Sequence, residues 1–94
     1  MSEKVPKEDL PRRLKKIPEW EIKKDRLVRS LEFDEFMEGI DFINGVAEIA
    51  EDANHHPDII VRYCTVKLSL ITHDCGAISG RDFELAARID TLID

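Results

Sequence analysis

The sequence predicts an α+β fold: an antiparallel sheet with helices packed on one face. Three observations predict it. Apolar residues recur at helical spacing in two segments, 36–53 and from Ser79 towards the end of the chain. Segments 20–33 and 58–72 alternate with period two or are rich in β-branched residues. The chain has 94 residues, 43% of them apolar, with four Gly and four Pro, which suits a thin ordered core rather than a disordered tract. No repeat or linker interrupts it, so residues 1–94 read as one domain.

The first element is a short helix near residues 7–16. Leu10 and Leu14 lie one turn apart on it, Pro11 is tolerated in its first turn, and Pro18 stops it. Residues 20–33 form a hairpin. Trp20 and Ile22 alternate with charges before a turn at Lys23-Lys24-Asp25. After the turn, Leu27, Arg29, Leu31 and Phe33 share one face, and Val28, Ser30 and Glu32 the other. Arg29 is then either a snorkelling structural residue or one that faces a cleft.

Asp34 is placed to cap the next helix, which runs through residue 53. Phe36, Met37, Ile40, Ile43, Ala47 and Ala50 form its stripe, and Phe42, Val46 and Ile49 widen it to a second face. Such a helix packs on the sheet alone, or on the sheet and a partner subunit. Residues 58–72 read as strand, with Val66, Leu68 and Leu70 alternating against Thr65, Lys67 and Ser69. Ser79 opens the last helix, with Asp82 at its third position as a capping-box variant. Its buried face is expected at Phe83, Ala86, Ala87 and the apolar residues near Ile93. The order is α-β-β-α-β-α, or α-β-β-α-β-β-α if residues 58–72 reverse direction.

Charge and cysteine content narrow the function. Fourteen Lys and Arg against 20 Asp and Glu give a net charge of −6, which repels phosphate backbones and argues against direct nucleic-acid binding. The nearest basic patch, Arg12, Arg13, Lys15 and Lys16, is flanked by Glu8, Asp9, Glu19 and Glu21 and reads as a solvated helix face. Cys64 and Cys75 have no CxxC spacing, so reduced thiols in a cytoplasmic protein are expected. The N-terminus, Met1-Ser2-Glu3-Lys4-Val5-Pro6, lacks an apolar leader, and no apolar run approaches the length of a membrane span.

The chemistry rests on three histidines, His55, His56 and His73. Pro57 pushes His56 out of the helical region, so the long helix ends there and both rings emerge at an element boundary. His73 lies at the far end of the next strand region. Singly, each residue has an ordinary role: a surface histidine, Asp82 as a cap, Glu51 as a solvated helix charge, Tyr63 and Trp20 as core aromatics. The spacing of the set is more informative. Glu51, then His55-His56-Pro57, Tyr63, His73 and Asp82 follow one another at intervals of three, five, nine and eight residues.

This run resembles the pterin-4a-carbinolamine dehydratase family. The resemblance extends to Asn-His-His-Pro-Asp at 54–58, Ile-Thr-His-Asp at 71–74, the segment Gly80 to Asp90, Trp20, and Leu27 with Arg29. It covers the chain from about residue 8 onward. Ile59 departs from the pattern, where many members carry an aromatic, and so does Cys64, where asparagine is common. The resemblance implies the strand reversal. A single strand over 58–72 would hold His56 and His73 roughly 50 Å apart at about 3.3 Å per residue. A reversal near Val61-Arg62-Tyr63 brings them together. The fold expected is therefore a four-stranded antiparallel sheet in the order α-β-β-α-β-β-α.

The resemblance also implies the reaction: a 4a-hydroxytetrahydropterin loses hydroxide from C4a and a proton from N5 to give quinonoid dihydropterin. Histidine suits both proton transfers, because its ordinary pKa of about 6.5 populates both forms near neutrality. His55 and His73 would be the acid–base pair, and His56 would chiefly hold the pterin. Asn54, Ile71, Thr72 and Asp74 would line the pocket, and Glu51 and Asp82 would orient the imidazoles. No metal or cofactor is implied, and a homodimer or homotetramer is expected. A zinc site of three histidines and Glu51 is disfavoured, because adjacent histidines splay their rings and HExxH spacing is absent. The alternative is a non-enzymatic protein that binds partners, as some members of the family do with transcription factors.

Overall fold

A computed structural model describes residues 3–93 of the protein. Met1 and Ser2, the start of the N-terminal stretch considered above, lie outside the described residues. The element order is α1 (Leu10–Leu14), β1 (Glu21–Lys23), β2 (Arg26–Glu32), α2 (Phe36–Ala53), β3 (Asp58–Arg62), β4 (Thr65–Leu70) and α3 (Gly80–Asp90). A 3₁₀ turn at Lys7–Asp9 leads into α1, so the predicted helix is shorter and tighter than 7–16. Pro11 sits in the first turn of α1, where its missing N–H costs nothing.

The four strands form one antiparallel sheet in the order β1-β2-β4-β3. Both hairpins close with two-residue turns. Lys24 and Asp25 have φ of 51° and 62°, the left-handed pair that matches strand twist. Tyr63, at φ 52°, opens the second turn, with Arg62 paired to Thr65. The stretch read as residues 58–72 therefore does reverse, at Tyr63-Cys64.

One face of the sheet is apolar. Leu27 opposes Leu70, Arg29 opposes Leu68, and Leu31 opposes Val66. Ile17, Trp20, Val46, Leu85, Ala86 and Ile89 complete the buried core against this face. Arg29 takes the structural reading: its guanidinium is buried and donates to Asp90 Oδ1 at 2.5 Å. The same oxygen accepts from Trp20 Nε1 at 2.8 Å, so Trp20 is a core residue with its one polar atom satisfied.

Three local expectations are corrected. Glu35, not Asp34, caps α2, because Glu35 and Glu38 form a reciprocal capping box. The buried stripe of α2 is Gly39, Phe42, Val46 and Ala50, while Phe36, Met37 and Ala47 are exposed. Phe42 and Val46 belong to the second of the two predicted faces. On α3 the buried face is Phe83, Leu85, Ala86 and Ile89; Ala87 is exposed within the helix, and Ile93 is exposed past its end at Asp90. Among the described residues, no helix is long and apolar enough to cross a membrane.

Candidate active site

Three chain ends meet at one edge of the sheet: the C-terminus of α2, the open end of the β3–β4 hairpin and the N-terminus of α3. Each is shaped by local sequence. Asn54 terminates α2 in the left-handed conformation, φ 51°, which asparagine tolerates. The His55 amide donates back to the Ala50 carbonyl at 3.1 Å, and Pro57 turns the chain into β3. After β4, Thr72 and Ala77 bridge, closing a tight loop over His73, Asp74, Cys75 and Gly76. Gly76 takes φ 64° there, a conformation in which a side chain is strained.

These ends enclose a cleft of about 500 Å³. Its lining includes Asn54, His55, His56, Thr72, His73 and Asp74, so most of the predicted site residues converge. Ile71 does not line it. Pro57, Asp58 and Arg81 do, and sequence reasoning had not assigned them to the site. Arg81 carried a usable signal. It lies in the first turn of α3, at the positive end of the helix dipole, where an arginine is disfavoured unless something else requires it. It donates to the Asn54 carbonyl at 2.9 Å and so ties α3 to the end of α2.

The histidines are held differently. His55 is buried, and its Nε2 meets Asp82 Oδ1 at 2.6 Å. Asp82 is itself fully buried, and its other oxygen accepts from Thr72 Oγ1 at 2.8 Å and from the Ser79 amide at 2.9 Å. Thr72 gives its one hydroxyl hydrogen to Asp82, so the 2.6 Å contact between Thr72 and Ser79 has Ser79 Oγ as donor. Ser79 Oγ in turn accepts from the Arg81 amide at 3.2 Å. Asp82 thus caps α3 and orients His55 at once. With Nε2 directed at Asp82, Nδ1 is the His55 nitrogen left outside that contact.

His56 pairs with Glu51 at 2.5 Å on the surface, and His73 is exposed on the tight loop. Among the described residues, no buried side-chain nitrogen or oxygen lacks a hydrogen-bond partner. Among them, too, no three His, Cys, Asp or Glu side chains gather to hold a metal ion. Cys64 and Cys75 are free thiols.

The family model for pterin 4 alpha carbinolamine dehydratase matches residues 3–92. The chain belongs to that family. A relative from Acidobacterium capsulatum, provisionally named pterin-4-alpha-carbinolamine dehydratase, is 44% identical over 99% of this chain and 100% of its own. A relative from Thermomicrobium roseum with the same provisional name is 49% identical over 84% of this chain and 85% of its own. The fold is also that of a solved structure described as a transcriptional coactivator/pterin dehydratase from Brucella melitensis. It superposes with a TM-score of 0.92 at 21% identity, over 98% of this chain and 100% of that one. A pterin dehydratase-like protein described as a RuBisCO assembly factor in the alpha-carboxysome superposes with a TM-score of 0.63 at 23% identity, over 78% of this chain and 84% of that one. The family's dehydratase name accords with a cleft lined by three histidines.

Proposed function

We propose that this chain dehydrates a 4a-hydroxytetrahydropterin, with His55 and His73 exchanging the two protons and His56 holding the pterin, as a step in recycling a tetrahydropterin cofactor. The observation that carries the reading is the convergence of all three histidines on one cleft, one of them fixed by a buried carboxylate. Hydroxide is a poor leaving group, so the C4a–O bond breaks as His73 protonates the oxygen, which leaves as water. The electrons of the N5–H bond become the C4a–N5 double bond, and His55 Nδ1 takes the N5 proton. The charge that His55 then carries faces Asp82. Positioned acid–base groups of this kind contribute on the order of 10²–10⁴-fold each. Asn54, Thr72 and Asp74 line the pterin. No metal or cofactor takes part. The free thiols support a cytoplasmic setting.

The test is a dehydratase assay on 4a-hydroxytetrahydropterin generated in situ by a hydroxylase, corrected for unaided dehydration. A rate well above background that persists in EDTA is expected. A background rate, or one that EDTA abolishes and one metal equivalent restores, overturns the reading.

We also assign the protein to a homodimer or homotetramer. Phe36 and Met37 on α2, and Ile60, Val61 and Tyr63 on and beside the edge strand β3, expose large apolar surface. An unpaired apolar edge is a template for association. Light scattering is expected to give two or four times the 10.8 kDa chain mass. A monomer at micromolar concentration counts against it. The same surface favours a second reading, a partner-binding protein that keeps the pterin site, in keeping with the coactivator and assembly-factor descriptions of the two structural relatives. Capture of a partner by a chain with only background dehydratase rate would select it.

A further inference from the structure

The basic cluster spans α1 and the turn that follows it. Arg12, Arg13 and Lys16 rim a cleft of about 380 Å³ between α1 and α3, floored by Ile17, Phe83 and Ala87. Ile17 and Phe83 are core residues, so the floor is rigid. Arg13 lies over the Phe83 ring, 5.6 Å from its centroid, a cation–π contact that favours this position of its guanidinium. Arg12 has a long ion pair with Asp9, at 3.4 Å. Among the described residues, neither Arg13 nor Lys16 is in a salt bridge. Glu84 is the carboxylate on the lining.

The position of Arg13 adds to the imbalance. A Cβ built on Gly80 would lie 3.5 Å from Arg13 Nη1, so the guanidinium sits beside the first residue of α3. That is the positive end of the helix dipole, where cations are unfavourable. Asp82, the acidic residue of the first turn, is buried and already engaged by His55, Thr72 and Ser79. On a chain of net charge −6, cations collect here around an apolar floor with little to neutralise them. Volume and lining fit a small-molecule site, apolar with a few convergent polar groups. The cations ring one cavity rather than form a track, which does not suit a nucleic-acid backbone.

We propose that the α1–α3 cleft is a second ligand site, for a small organic anion whose apolar body covers Ile17, Phe83 and Ala87 and whose carboxylate or phosphate meets Arg12, Arg13 and Lys16. The proposal is independent of the dehydratase reading.

Phenyl phosphate titrated into the ¹⁵N-labelled full chain tests it, with inorganic phosphate and benzyl alcohol as charge-only and apolar-only comparators. Saturable shifts confined to amides of residues 12–17 and 83–87 are expected, with affinity on the order of 10-fold above either comparator. Arg13→Gln with Lys16→Gln should weaken binding by on the order of 10-fold or more. Lys15→Gln, on the same segment but off the cleft, should not. Absence of saturation, shifts centred on His55 and His73, equal binding of inorganic phosphate, or equal losses in the Lys15 variant would each overturn the proposal. The wild-type shift map decides the matter even if the double variant does not fold.

Discussion

The two histidine–carboxylate pairs of the cleft have nearly the same length and opposite surroundings. His55 and Asp82 lie 2.6 Å apart with side-chain exposures of 9% and 0%. His56 and Glu51 lie 2.5 Å apart with exposures of 54% and 78%. Distance alone would rank them equal. Physical chemistry separates them, because water competes for the exposed pair and screens it, whereas the buried pair has only the partners the fold supplies. Thr72 and Ser79 supply those partners to Asp82, and His56 has no such backing. One side of the cleft holds its ring still, and the other leaves its ring open to solvent.

The comparison is broken most directly at Asp82. Asp82→Ala removes the partner of His55 and the cap of α3 together, and it should cost about 3–5 kcal/mol of stability in urea unfolding, with loss of dehydratase rate. Asp82→Asn keeps the shape but cannot accept from all three donors, so it should fall between. A stability change under about 1 kcal/mol for Asp82→Ala would mean that the buried pair is no stronger than an exposed one.

The next largest effects should come from the two histidines proposed to exchange protons. His55→Ala and His73→Ala should each lower kcat by on the order of 10²–10⁴-fold, more than they raise KM. Together they should cost less than the product of the two, because they serve one reaction. Full kcat in both folded variants would remove the acid–base assignment.

The exposed pair should respond weakly and differently. His56→Ala should show most of its loss in KM, and Glu51→Gln should change stability by less than about 1 kcal/mol. A kcat loss for His56→Ala as large as that for His55→Ala would erase the difference between the two pairs. The smallest effects belong to Cys64→Ala and Cys75→Ala, whose thiols make only weak bonds to carbonyls, so steady-state rates should be nearly unchanged.

How much of this was legible in the sequence depends on the residue. The helix bounds of α2 and the alternation of β4 followed from period, because a half-buried surface imposes it. Which face of α2 turns inward did not, since Phe36 and Met37 are as apolar as Phe42 and Val46 and period alone cannot say which side meets the sheet. The β3–β4 reversal carried no glycine or proline; Tyr63 takes the left-handed position, and the turn was read through the family resemblance. The histidines were legible from the break at Asn54 to Pro57. The Thr72–Ser79–Asp82 bonds were not, because they exist only once the tight loop closes on α3. The basic residues of α1 were read by their acidic neighbours in sequence, while their role depends on Phe83, some seventy positions away.

Asp82 has one further consequence, for the timing of local opening. Its bonds to the Ser79 amide and to His55 join the first turn of α3 to the end of α2. That turn therefore cannot fray without releasing the ring. The usual freedom of a helix terminus to open at almost no cost is withdrawn here, and the Ser79 amide is expected to exchange at the slow pace of the core rather than that of a loop. The Ser79 amide hydrogen then serves as a built-in clock, exchanging with solvent only as often as the site comes apart.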